Sequence, residues 1–362
     1  MKKIRIIGLF LVLFTGMVLF APINAQAEDK VKVTLDGIIY TLPDLDSPYY
    51  GEAELDPNST RTEIYVHNEI EYQGKYYPIG TFSWDEDSLN DTEDGYADGW
   101  VYIDMDKKIP VHETLQKLIL APDITVEGSA VNYKELEEVI FEGKISYRYG
   151  FHYFNCPKLK TITIPADYRM RERQSNGFDI KRCPSVRITV DAANPYFMVI
   201  DNEIYSKDGK ILYNATNNMT EYRVRKGVKE IAPYALNGND QITSIYLPNS
   251  VEKIGLYAFG CMDNLRSIRM SKSVKVFHQS VILHSKKLKK LELPKKMQKF
   301  KCEYSSYYKC KLKKLILKAK KLKKSYFSEL PSKCKIIVRN NTVKQQVRKY
   351  GYKGKVLVRK NL

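Results

Sequence analysis

The chain has 362 residues, 43% of them hydrophobic, a formal net charge of +17, six cysteines and five histidines. It holds no C-x-x-C pair, no H-E-x-x-H, no G-x-S-x-G and no phosphate-binding glycine loop, which removes the usual signatures of zinc sites, metalloproteases, α/β-hydrolases and nucleotide binding. Its 27 tyrosines are unusual for a compact enzyme and common on binding surfaces.

Residues 1–27 read as a secretory signal peptide. Lys2, Lys3 and Arg5 precede the apolar run Ile6–Ala21, and Ala25-Gln26-Ala27 is a small-x-small cleavage site. An uncleaved membrane anchor is the alternative. No second long apolar stretch follows, so no transmembrane segment is expected after signal cleavage. Residues 28–112 do not repeat. Val31–Tyr40 alternates around the turn signal Asp36-Gly37, and Glu63–Ile70 followed by Glu71–Tyr77 reads as a hairpin, so a β-rich N-terminal cap is expected. Carboxylates crowd residues 85–106 and have the oxygen chemistry of a calcium site. Yet the loop opening at Asn90 places Thr92 third and Val101 twelfth in an EF-hand frame, and a solvated acidic loop fits better.

From 113 to 338 the shape L-x-x-L-x-L recurs, at Leu115–Leu120, Leu136–Phe141, Leu159–Ile164, Ile242–Leu247, Leu265–Met270, Leu288–Leu293 and Leu312–Leu317. The steps from Ile242 to Leu265 to Leu288 are 23 and 23, and the next, to Leu312, is 24. A fixed period in the twenties marks a leucine-rich solenoid. Each segment is a short strand whose last two apolar positions face inward. One such unit cannot stand alone. A buried Leu or Ile contributes about 1.5–3 kcal/mol, whereas ordering the backbone costs about 1–2 kcal/mol per residue, so stability belongs to the stacked array. Val228–Leu236 aligns with Val251–Phe259, 23 residues on, and supplies the opposite side of each unit, with Gly255 permitting a turn. Pro165, Pro248 and Pro294 each end a strand. A β-hairpin insert is expected at about 191–222, turning at Lys207–Lys210 with Gly209 at positive φ. In 339–362, Val343, Val347 and Tyr350 share a helix face, Asn341 or Thr342 is placed to cap it, Gly351 to stop it, and Lys355–Val358 reads as a strand. The expected fold is a strand-dominated leucine-rich repeat solenoid. Short parallel strands lie on one face and turns with short helical or 3-10 segments on the other, between a β-rich N-terminal cap and a small helix-strand C-terminal cap.

Leu247-Pro248-Asn249-Ser250-Val251, Ile254-Gly255, Ala258-Phe259, Cys261 and Leu265-Arg266-Ser267-Ile268, together with Phe154–Ile162, resemble the BspA-like leucine-rich repeat proteins of bacterial surfaces. The resemblance covers about 113–338 and is strongest over 225–270. After Met270 it loosens, since Phe277–Ser280 and Tyr304–Lys309 stand where the family has Ile-Gly and Ala-Phe. It implies a secreted or extracellular cell-surface protein of bacteria that acts in adhesion, with a protein or glycan on host or neighbouring cells as partner. Neither an enzyme nor a cofactor is expected.

The net charge conceals a division. Residues 28–143 hold 27 acids and 8 bases, a net of −19; residues 144–264 hold 12 and 17; residues 265–362 hold 3 acids and 31 bases, a net of +28. In a solenoid, sequence order is spatial order, so an acidic end and a basic end are expected. The basic repeats place Arg266, Arg269, Lys289, Lys290, Lys313 and Lys314 outside the inward positions, and with Tyr246 these are the candidate ligand-binding residues. Such a surface attracts polyanions through counterion release. Export favours anionic cell-wall polymer over nucleic acid, for which no specific binding is expected, and lysine suits diffuse attraction better than bidentate recognition. An envelope-docked structural protein is therefore the second reading, and an enzyme the third. Ile119, Ile140, Thr163, Tyr246, Arg269, Glu292 and Ile316 form the expected outward column; its three Ile and one Tyr make either cover between repeats or an apolar binding stripe. Cys156, Cys183 and Cys261 fall in one repeat column and read as buried thiols, with a Cys156–Cys183 bridge as the alternative. The five histidines read as isolated surface or turn residues.

Overall fold

The computed structural model describes residues 30–43, 50–84, 113–128, 130–147, 151–170, 178–215, 219–301, 311–327 and 330–362. Residues 1–27, read above as a signal peptide, the acidic run 85–106, Cys302 and Cys310 lie outside them. The chain forms two compact units, residues 1–148 and 149–362.

In the first unit Lys32–Leu35 and Ile38–Thr41 form an antiparallel hairpin whose turn, Asp36-Gly37, has φ of 51° and 89°. Ile38–Thr41 pairs antiparallel with Gly51–Leu55, which pairs parallel with Lys75–Ser83, and that strand pairs parallel with Ile124–Glu127. Glu69–Tyr72 folds back on Lys75–Ser83 through Gln73-Gly74. A second ladder stacks Glu63–Val66, Lys117–Leu120 and Glu138–Phe141 in parallel. Glu63–Val66 is thus a rung of a parallel ladder, inside the segment that the sequence reading gives to a non-repeating cap. The core holds Tyr40, Phe82, Trp84 and Tyr133. The Tyr133 hydroxyl donates to the Trp84 carbonyl at 3.3 Å, and the Tyr40 oxygen accepts the His67 N–H at 3.2 Å. His67, read as a surface or turn residue, lies in the turn between Glu63–Val66 and Glu69–Tyr72 but is buried, and burial holds its pKa below the usual imidazole value.

In the second unit the repeat period becomes backbone geometry. Glu221–Arg223, Ser244–Tyr246 and Ser267–Arg269 stack in parallel, 23 residues apart and in register. The Thr243 N–H donates to Thr220 at 2.7 Å, and the Arg266 N–H to Thr243 at 2.8 Å, so each rung repeats the bonds of the last. Lys290–Leu293, Lys314–Leu317, Lys335–Val338 and Val356–Val358 continue the pattern as a four-strand sheet. Inward side chains from both stacks, among them Ile245, Leu247, Ile268, Leu291, Leu293, Leu315 and Ile336, share one core, with Met270 packed against it.

The opposite side also carries short strands. Ile211–Ala215, Glu230–Ile231 and Lys253–Ile254 stack in parallel, as do Val276–His278 and Lys299–Lys301, and one 3-10 turn spans Gln279–Ile282. Gly255 serves closeness rather than turning. Its φ is not positive, but a Cβ there would fall 2.3 Å from the Pro233 nitrogen. Beyond Met270 the core changes material. Phe277, Phe300 and Phe327 stack with ring centroids 6.1 and 4.8 Å apart and planes within 13° and 9° of parallel.

A meander interrupts the array. Phe197–Ile200, Glu203–Ser206 and Ile211–Ala215 pair antiparallel in sequence, with Gly209 at φ 69° in the second turn. Buried Asn194 fixes the entry, donating to Pro165 and Tyr168 carbonyls at 2.7 and 3.0 Å and accepting from the Tyr196 and Phe197 N–H groups. Asn202 lies against the strand Arg187–Val190, whose other edge pairs with Thr161–Ile164. Its amide accepts the Ile188 N–H at 2.6 Å and donates to the Val186 carbonyl at 2.8 Å. At the C-terminus the helix Asn341–Lys349 is capped by Asn340, one residue before the expected cap, which accepts the Val343 N–H at 2.8 Å. Gly351, at φ 97°, follows its last turn.

Candidate macromolecule-binding faces

In the stack Glu221–Arg269 the outward positions are set by register. Arg223, Tyr246 and Arg269 lie opposite one another on successive rungs. The Arg223 guanidinium sits over the Tyr246 ring, 4.0 Å from its centroid, and also bonds Glu221 at 3.4 Å. Arg269 and Arg266 are exposed and Tyr246 half-buried. A phenol flanked by guanidinium groups on a rigid ladder offers flat contact area and directional donors at low entropic cost. Charge elsewhere in these repeats is matched between neighbouring rungs. Lys229 meets Glu252 at 3.5 Å, Lys253 meets Glu230 at 2.6 Å and Lys286 meets Asp263 at 2.9 Å.

The four-strand sheet is built alike and charged differently. Leu291, Leu315, Ile336 and Val356 are in the core, so Lys290, Lys314 and Lys335 point the other way, opposite one another, and the ladder continues to Lys355. Two residues along each strand come Glu292, Ile316, Ile337 and Leu357. Two further on are Lys318, Arg339 and Arg359, the last donating its N–H to Val338. Glu292 bonds both Lys290, at 2.6 Å, and Lys318, at 3.0 Å, which places those two cations on its own face. The Lys290 hydrogen bond and then that of Lys318 lower its pKa against the opposing effect of burial. Among the described residues Glu292 is the only carboxylate side chain after Leu265, and no carboxylate pairs with Lys314, Lys335, Lys355, Arg339 or Arg359.

The structure therefore divides the seven sequence candidates. Tyr246 and Arg269 adjoin in one stack, and Lys290 and Lys314 in another. Arg266, Lys289 and Lys313 precede their strands, and Lys313 and Lys314 both donate N–H groups to the Lys289 carbonyl. Of the outward column, the isoleucines are largely covered. Ile316 is 6% exposed, and Ile119 and Ile140 are half-buried. Cys156, Cys183 and Cys334 are buried thiols while Cys261 is only half-buried, so the cysteine column is uneven. Sequence reading missed Arg223, Lys318, Lys335, Lys355, Arg339 and Arg359. The cations beyond Leu317 follow from extending the same register to the later strands, whereas Arg223 lies on a rung without the leucine signature. Among the described residues no three His, Cys, Asp or Glu side chains gather as metal ligands, and no helix is long and apolar enough to cross a membrane.

Comparison with known proteins places this geometry. No curated protein matches the chain. Among solved structures it is similar to the pneumococcal vaccine antigen PcpA (16% identity, 91% of this chain and 99% of that one, TM-score 0.45). It is also similar to a leucine-rich cell surface protein of Faecalibacterium prausnitzii (14%, 90% and 99%, TM-score 0.38) and to a leucine-rich repeat protein of T. pallidum (19%, 45% and 97%, TM-score 0.31). The BspA type leucine-rich repeat region matches residues 208–336 in six copies, running through the lysine-rich units beyond Met270. Over that span the rungs described above are BspA-type leucine-rich repeats.

Proposed function

We propose that this chain is a secreted or cell-surface binding module of a bacterium that holds a protein or glycan of another cell against its ladder of parallel strands. The observation that carries this reading is the Arg223–Tyr246–Arg269 column, an aromatic and two guanidinium groups held in register on successive rungs. Arg and Tyr are the residue types that dominate binding energy at interfaces. The test is binding of the full chain to arrayed matrix glycoproteins and glycans beside the Tyr246→Ala/Arg269→Ala variant. The variant is expected to lose about tenfold or more in affinity with unchanged thermal unfolding. Equal binding by both proteins overturns the assignment of this column.

A second reading is favoured by a separate observation, the cation excess of the last repeats. There the chain docks on the anionic envelope of its own cell. Elution of the protein from intact cells by moderate salt is the expected behaviour, because such binding weakens as counterions compete. Retention in high salt counts against it.

A further inference from the structure

We infer that the outward face of the sheet Lys290–Val358 is a built site for a linear polyphosphodiester of the cell envelope, lying across the strands along the column Lys314, Lys335 and Lys355. This rests on the envelope-docking reading and states which side chains do the docking.

Register makes the site. Strands lie about 4.8 Å apart, so the lysine column presents a cation at about that interval, and the parallel column Lys318, Arg339 and Arg359 runs about 13 Å away, four residues along each strand. A repeating track fits a repeating ligand better than a single anion. Like charges opposite one another on neighbouring strands are destabilising, and the rungs Glu221–Arg269 are accompanied by lysines that meet acids on neighbouring rungs. In the last four strands the only acid is Glu292, on the first of them, and it is occupied by Lys290 and Lys318. Lys314, Lys335 and Lys355 stand opposite one another with no acid between them, and an anionic chain laid over them relieves the repulsion.

Two other polyanion classes fit less well. A bilayer surface rewards apolar side chains that insert beside the cations, but between the columns Ile316 and Ile337 are buried, at 6% and 1% exposure, and only Leu357 on the last strand is half-buried. Single-stranded nucleic acid is held by aromatic platforms, and the outward positions of these strands contain none.

The experiment compares three full-length mature proteins for binding to poly(glycerol phosphate) over a salt series. They are the wild type, Lys314→Ser/Lys335→Ser/Lys355→Ser, and Lys275→Ser/Lys296→Ser/Lys323→Ser. The last removes the same charge from exposed positions that lie in none of these four strands. The face variant is expected to bind about tenfold or more weakly and to lose about 0.7 from the log–log salt slope per contact removed. The control is expected to stay within about twofold, and the face variant to melt no lower than the wild type. Equal losses in both triple variants overturn the site while leaving diffuse envelope docking in place. Failure of the wild type to bind overturns both. Tighter binding to phosphatidylglycerol vesicles or to a single-stranded oligonucleotide of equal charge overturns the choice of ligand.

Discussion

The rungs Glu221–Arg269 and the rungs Lys290–Val358 share strand spacing, register and inward aliphatic residues, yet they treat charge and packing differently. In the first group cations of one repeat meet acids of the next, and the opposite side of the core closes with Ala258 and Phe259, both fully buried. In the second the acids all but disappear, and three phenylalanine rings stack through the core. The backbone ladder is therefore indifferent to what its surface carries. Cross-rung attraction supports the first group, while the second holds its like charges apart on aromatic packing and strand pairing.

That contrast is broken most directly at Phe300, whose ring lies between Phe277 and Phe327. Phe300→Ala is expected to lower unfolding free energy by about 3–5 kcal/mol through lost burial and a cavity. A loss under about 1 kcal/mol in urea unfolding would show that the aromatic stack is not what supports the cationic rungs. In the balanced group the tightest point is Gly255. Gly255→Ala sets a methyl against the Pro233 backbone and is expected to cost about 1–3 kcal/mol by overpacking, read as a lower urea midpoint with unchanged slope. Asn340→Ala removes the cap of the only α-helix among the described residues and is expected to cost about 1 kcal/mol, and Asn340→Gly a few tenths. Either is measurable as helix fraying by hydrogen exchange.

The smallest effect sharpens the electrostatic half of the comparison. The pKa of Glu292 is lowered in the folded chain, first by the hydrogen bond from Lys290. A carboxylate lowered on folding stabilises above its unfolded pKa of about 4.3 and loses that contribution as pH falls through its folded value. The stability gap between wild type and Glu292→Gln is therefore expected to be constant above about pH 5 and to close in more acidic solution. Because the group is partly exposed, the gap is expected to be about 0.2–1 kcal/mol. A gap that persists unchanged at low pH would assign the effect of Glu292 to packing.

Much of this architecture was legible because leucine-rich repeats write their geometry as spacing. The 23-residue step from Ile242 to Leu265 to Leu288 implied in-register strands, and Leu247, Met270 and Leu293 pack along one core accordingly. Gly255 was assigned to a turn because sequence distinguishes poorly between a glycine needed for its φ and one needed for the absence of a side chain. The stacking of Phe277, Phe300 and Phe327 was not legible because they are spaced 23 and 27 residues apart, and only the first of these steps keeps the repeat period. The candidate faces were half legible. Lys290 and Lys314 follow from the repeat, but Lys335, Lys355, Arg339 and Arg359 lie on strands whose alignment becomes visible only through pairing. The cation over Tyr246 comes from a rung, Glu221–Arg223, that lacks the leucine signature altogether.

The side chain of Asn202 has a further consequence. A solenoid that breaks its stack bares a flat row of backbone donors and acceptors, the kind of border along which separate molecules zip into fibrils. By answering the Ile188 N–H and the carbonyl of Val186, just before the strand, with one carboxamide, the meander covers part of that border at its own root. An array assembled from interchangeable modules can thus accept an interruption while two of the backbone groups at the break keep hydrogen-bond partners.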